Sequence, residues 1–135
     1  DRYASRGLGD VYKRQGFTAL PKIGEKQMTE EGVGNFSDDR MNRIHDDPET
    51  ARQFGYRAPI AAGIMGSHIM LEAVVKDGGK PPSALDMMIR FRRPMFWDDL
   101  LDVTADRSNG HLSRIALMKP EGKPACFGTV NAVSY

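Results

Sequence analysis

Two regimes of hydrophobic patterning divide this chain. Towards its middle, apolar residues cover nearly every face of one continuous segment; after Pro82 they fall into short runs separated by Pro, Gly and Asn. The first regime predicts a long helix from about Ile60 or Gly63 to Lys76, with Ile64, Met65, Ile69, Met70, Leu71, Val74 and Val75 around most of its circumference. A helix apolar all round is one surrounded by protein. Gly63, Gly66 and Ser67 leave room for another backbone, Gly78 and Gly79 stop the helix, and Pro81 and Pro82 prevent its resumption. The second regime predicts four strands: Leu85–Phe91, Leu100–Ala105, Leu112–Met118 and Ala125–Val133. Pro94 breaks the first from the second, Ser108-Asn109-Gly110 is a turn signal, and residues 120–123 form a hairpin turn.

Upstream, residues 17–28 are interrupted by Pro21 and Gly24 and hold at most an irregular first strand. Thr29 suits a helix N-cap, and Glu30 and Glu31 place carboxylates in the first turn, where the helix dipole favours them. That short helix runs towards Phe36. Residues 37–47 are polar and irregular. A second short helix follows, with Asp47 as cap, Pro48 in its first turn and Gly55 at its end. The order is an initial strand, helical pieces, one buried helix, then consecutive antiparallel strands. It predicts an α+β domain in which one long helix packs on one face of a meandering sheet.

The 135 residues, 40% hydrophobic, suit a single domain. No apolar run approaches the roughly 20 residues of a spanning helix, and no leader pattern precedes the fold, so neither membrane insertion nor secretion is expected. Cys126 is the only cysteine, which excludes an internal disulfide and fits a reducing, cytoplasmic compartment. Its apolar surroundings read as core. Residues 5–15, S-R-G-L-G-D-V-Y-K-R-Q, resemble a translated sequencing adapter, so residues 1–15 are set apart from a domain at 16–135. Of the 19 basic and 18 acidic residues, four and two respectively lie in residues 1–15, leaving 15 against 16. That balance gives no footprint for nucleic acid.

His45 is the leading candidate for chemistry. It sits among Asn42, Arg43, Asp46 and Asp47 rather than in an apolar stretch, and an imidazole titrates near neutral pH. The alternative is a loop histidine that only hydrogen-bonds the backbone. His68, inside the apolar helix, reads as a core or interface group, and His111, after a turn, as solvated. The three histidines lack metal-ligand spacing, and one cysteine excludes the common thiolate zinc sites, so no metal is expected. Gly63 and Ile64 open the long helix. Helix-terminal N–H groups and the dipole's positive end could hold a developing oxyanion there, or Gly63 could simply permit close packing. Arg90 and Arg92 share one strand face if the strand is regular; they suit phosphate or form a solvated or dimer-facing cluster. Met65, Met70, Met87 and Met88 read as core, or as the lining of an acyl tunnel.

The segment N-R-I-H-D-D-P-E-T-A-R-Q-F-G-Y-R-A-P-I-A-A-G-I-M resembles the MaoC-like hydratase/dehydratase family, with matches at Asn42, His45, Asp47, Ala51, Gly55, Tyr56, Pro59, Ile60 and Gly63. R-F-R-R-P-M-F-W-D-D-L-L-D-V resembles that family's later F-x-x-P, aspartate and strand. The resemblance covers about residues 22–133. It implies a hot-dog fold, an antiparallel sheet wrapped around one central helix. It also implies pairing into a homodimer or a heterodimer with a second hot-dog subunit, and reversible hydration of a 2-enoyl thioester of coenzyme A or a carrier protein. No cofactor is implied beyond that thioester, which is the substrate. The family's histidine and aspartate handle water and protons, while a helix-terminal amide binds the thioester oxygen. In this chain the resemblance gives the histidine's role to His45, assisted by Asn42, and the amide's role to Gly63.

At the family's aspartate position, five residues before the histidine, stands Arg40, with Asp39 next to it. Asp39 takes the acid's role if the loop shifts by one residue; an arginine cannot be a base at neutral pH. Ala62 replaces the family's histidine before the helix glycine, and Arg43 its proline. Two further readings follow: an acyl-thioester-binding protein that lacks the acid or is completed by a partner subunit, and a hot-dog thioesterase.

Overall fold

The computed structural model describes residues 16–37 and 42–135. Five strands form one antiparallel sheet: β1 (Lys22–Gln27), β2 (Ala84–Phe91), β3 (Leu100–Ser108), β4 (His111–Met118) and β5 (Pro124–Ser134). Three α-helices lie between β1 and β2: α1 (Glu30–Ser37), α2 (Pro48–Gln53) and α3 (Gly63–Gly78), with a 3₁₀ turn at Arg43–His45. This is the expected α+β architecture.

Local chemistry sets most boundaries. The Thr29 hydroxyl accepts from the Gly32 N–H at 3.0 Å and caps α1. The Asp47 carboxylate accepts from the Thr50 hydroxyl at 2.6 Å and from its N–H at 3.4 Å, capping α2. Gly79, at φ 73°, closes α3 in the left-handed conformation that glycine adopts without a Cβ penalty. The β3–β4 hairpin turns on Asn109 (φ 55°) and Gly110 (φ 83°), two positive φ values of the kind that match the twist of paired strands.

Three expectations are corrected. The sheet order is β1-β3-β4-β5-β2, so the strands do not meander throughout: β2 pairs with β5, and β3 lies between β1 and β4. The crossover puts β2 at one edge. Secondly, α3 is apolar all round in residue type but not in burial. Gly66, Ile69, Met70, Ala73 and Val74 form one stripe at three- and four-residue spacings against the sheet, while Ile64 on the opposite face is 57% exposed and Leu71 is also exposed. Composition told how many apolar groups the helix carries, not how far a single sheet reaches round it. Thirdly, Met88 is exposed, whereas Met70 is fully buried and Met65 and Met87 pack partly buried against the core.

The main core lies between α3 and one face of the sheet, where Leu101, Val103, Ile115, Leu117, Ala125 and Val130 cluster with Met70 and Val74. Each of the valine, leucine, isoleucine and methionine side chains among them stabilises the fold by about 1.5–3 kcal/mol when fully buried. A smaller cluster covers the other face, where Phe17 stacks on Phe127 at 4.5 Å between ring centroids and packs with Ala116 and Met118.

Candidate active site

A strap of residues 58–62 delivers the chain into α3 and fixes the site. Ala58, Pro59 and Ala61 are buried, and the strap lies along residues 94–99 in a short antiparallel pairing. The Ala61 N–H donates to Met95 O at 2.7 Å, the Trp97 N–H donates to Pro59 O at 3.0 Å, and Ile60 bridges Phe96. On its other side the strap holds the histidine turn. The Ile60 N–H donates to Ile44 O at 3.0 Å, and Nδ1 of His45 lies 2.7 Å from Ile60 O.

That contact decides the state of the ring. A backbone carbonyl only accepts, so Nδ1 carries the proton and donates. In the neutral imidazole Nε2 then has a free lone pair. His45 is half-buried and is not itself among the residues lining the adjoining cleft; its partner Ile60 is. Asn42 is exposed and caps the 3₁₀ turn, its Oδ1 accepting from the Ile44 N–H at 3.4 Å. Asp39 and Arg40 lie outside the described residues.

The cleft itself, about 260 Å³, opens at the amino end of α3 and is lined by Tyr56, Ile60, Gly63, Phe91, Arg92 and Arg93, among others. No side chain caps that end of α3, so its first N–H groups and the positive end of the dipole are available to a ligand. Gly63 lines the cleft; Ile64 points outward. Ring atoms of Phe91 would lie 3.5 Å from a Cβ at Gly63, so an alanine there makes ordinary contact and narrows the cleft. Cys126 forms part of the floor, and burial pushes its thiol up to about 12, so it stays protonated and inert.

Of the two arginines expected on one strand face, β2 ends at Phe91, before Arg92. The Arg92 N–H donates to Ala125 O, and Arg92 lines the cleft together with Arg93 rather than with Arg90. Nη1 of Arg93 donates to Pro124 O at 3.0 Å. The break that Pro94 imposes on the strand was the sequence signal that could have marked 91–95 as cleft wall. His68 is exposed, its ring set edge-to-face with that of Phe36, not a core group. His111 is half-buried, with Nδ1 2.8 Å from Leu112 O. Among the described residues no group of three His, Cys, Asp or Glu side chains could hold a metal ion.

A larger groove, about 670 Å³, lies near the carboxyl end of α3 between Ile69, Ala73, Val103 and Leu112. Asp77, on its rim, is about 21 Å along the helix from Gly63 at 1.5 Å per residue. It is therefore separate from the cleft beside the strap.

No family model and no curated protein matches the sequence. Solved structures do. HtdX from Mycobacterium tuberculosis superposes with a TM-score of 0.70 at 21% identity, over 82% of this chain and 44% of that one; the chain thus spans about half the length of HtdX. The (R)-hydratase from A. caviae involved in PHA biosynthesis matches with a TM-score of 0.60 at 20% identity, over 82% of this chain and 92% of that one. A MaoC-like dehydratase from Rhodospirillum rubrum matches with a TM-score of 0.58 at 15% identity, over 86% and 89%. At these identities the likeness is one of fold, and it is the fold of the sheet and helix described above: this chain has the hot-dog architecture of the MaoC-like dehydratases and R-hydratases.

Proposed function

We propose that the domain is a hydratase/dehydratase acting on an enoyl or 3-hydroxyacyl thioester of coenzyme A or a carrier protein. The single observation that carries the reading is the Nδ1 contact of His45 with Ile60 O at 2.7 Å. It ties the ring to Ile60, a cleft-lining residue three positions before the open amino end of a 16-residue helix, and leaves Nε2 as the base. In the hydration direction, His45 accepts a proton from water as the hydroxyl forms its bond to C3 of the enoyl group. Electron density moves onto the thioester oxygen, which the Gly63 N–H and the helix dipole stabilise, and C2 is then protonated, with Asp39 as the acid partner. Positioned acid–base help supplies about 10²–10⁴-fold and one oxyanion donor on the order of 10²–10³-fold. Arg92 and Arg93 at the cleft provide cations for phosphates of a coenzyme A moiety.

Apolar side chains exposed on α3 and on edge strand β2, Ile64, Leu71, Met88 and Phe91, support pairing with a second copy or a second hot-dog subunit. No helix among the described residues is long and apolar enough to cross a membrane.

The test follows loss of the conjugated thioester absorbance of short- and medium-chain 2-enoyl-CoA substrates, and its appearance from 3-hydroxyacyl-CoA. Turnover in both directions is expected. No turnover in either direction across chain lengths overturns the reading. Arg40 at the acid's position favours a second reading, an acyl-thioester-binding subunit without turnover of its own; tight binding without hydration, and a gain of rate in Arg40→Asp, would support that instead. Release of free thiol from saturated acyl-CoA would point to a thioesterase.

A further inference from the structure

Behind the strap lies a charged cluster that the chemistry above does not use. Asp99 and Lys119 are 4% and 5% exposed, the most deeply buried charged residues described. Asp99 Oδ2 lies 3.4 Å from Lys119 Nζ and accepts from the Phe96 N–H at 2.9 Å; Oδ1 accepts from Nη2 of Arg57 at 3.2 Å. Arg57 also grips Asp98 with two N–H groups at 2.8 and 3.2 Å. Lys119 donates to Pro94 O. The Phe96 ring sits between both cations, 4.1 Å from the Arg57 guanidinium carbon and 4.3 Å from Lys119 Nζ.

We infer that Asp99, clamped between Arg57 and Lys119, is a positioning residue for His45. The connection runs through covalent geometry and backbone hydrogen bonds. Asp99 and Lys119 together fix Pro94 O and Phe96 N, and so the shape of the 94–99 turn. That turn pairs with 59–61 through Met95 O and Trp97 N, and bridges Ile60 at Phe96. Ile60 in turn holds the histidine turn by both its N–H and its carbonyl. Arg57 closes the circuit, because it belongs to the segment that leads into the strap and binds the far side of the same turn. Taking an Asp–Lys pair out of water is costly, and an apolar pair of similar volume is often at least as stable. The pair is therefore better explained by the one backbone geometry it specifies than by stability. The inference rests on the assignment of His45 as the base.

Long-range proton–nitrogen NMR of the ring nitrogens tests it without any substrate. The three histidine ring signals are assigned with His45→Gln. In the unmodified protein His45 is expected to give one Nδ1–H tautomer, with a slowly exchanging Nδ1 proton. Asp99→Asn keeps an oxygen for Phe96 N–H but removes the charge, and Arg57→Ala removes an exposed clamp residue. Each is expected to give a mixture of tautomers and to lower kcat by on the order of 10²-fold, as a misplacement near 1 Å does, with KM changed much less. Asp106→Asn, which breaks the separate pair with Arg114, is the control for stability and should leave the His45 signals alone. If Asp99→Asn does not fold, Arg57→Ala carries the test. A single unchanged Nδ1–H tautomer in the folded variants overturns the inference even where hydration proceeds. Lost tautomer order in a protein without hydratase activity supports it while refuting the function proposed above.

Discussion

Gly66 of the central helix lies directly against Cys126 of β5. A Cβ built on Gly66 would stand 2.9 Å from Cys126 Sγ and 3.2 Å from Met95 Cε. The methionine can move aside, but the cysteine belongs to a sheet strand with nowhere to shift. Helix and sheet meet here through side chains that also line the cleft, one turn along α3 from Gly63.

Gly66→Ala is therefore expected to lose stability although alanine is the better helix former. Overpacking costs about 1–3 kcal/mol, and the gain in propensity returns about 1 kcal/mol, so a net loss near 1 kcal/mol is predicted. Gly66→Val should lose more. Urea denaturation with an unchanged slope checks both; an alanine variant as stable as the parent would show that the helix can lift from the sheet without cost.

Cys126 gives a pH signature. Its thiol is raised by burial from 9.0 to about 12 in the folded protein. Above pH 9 the unfolded chain releases this proton while the folded chain keeps it, so the unfolded state binds fewer protons and stability falls as pH rises towards 12. Cys126→Ala should remove that part of the slope. In native protein at pH 8, iodoacetamide should label the thiol only as fast as the protein opens; rapid labelling would contradict the burial.

Asp47 behaves in the opposite sense. The Thr50 hydroxyl that it accepts holds its carboxyl below the usual range. Its contribution is present above pH 3.8 and is lost as pH falls through the lowered value. Asp47→Ala should thus be less stable than the parent at pH 7, with the difference shrinking in acid denaturation as pH falls below 3.8. Asp47→Asn, which keeps a capping oxygen, should be affected less.

At the proposed base, His45→Gln should lower kcat by about 10²–10⁴-fold while leaving acyl-CoA binding within a few-fold. Isothermal calorimetry with a saturated acyl-CoA separates the two. Equal losses in binding and turnover would make His45 a binding residue rather than the base.

Local signals carried much of this fold. Thr29, Asp47, Gly55 and Gly79 mark helix ends because capping is settled within a few residues, and Asn109-Gly110 marks a hairpin for the same reason. The polar neighbours of His45 and the glycine at the start of the apolar segment singled out one loop and one helix end, and only the resemblance to the MaoC-like family joined the two. The lining of the cleft was not legible: Phe91, Arg93, Met95 and Cys126 come from segments remote in sequence from Ile60 and Gly63, and nothing in their own neighbourhoods says that they meet there.

What the sequence determined by itself was therefore each element's type and its chemical endowment: an apolar helix, a polar turn bearing one imidazole, and strands between turn residues. Only the tertiary structure decided that β2 runs beside β5, that one face of α3 stays open, and that Asp99, Arg57 and Lys119 converge on the turn behind Ile60. The reason is physical. Propensity and capping act over one or two turns of chain, whereas strand order, helix coverage and the pairing of buried charges are set by which distant surfaces can be desolvated together.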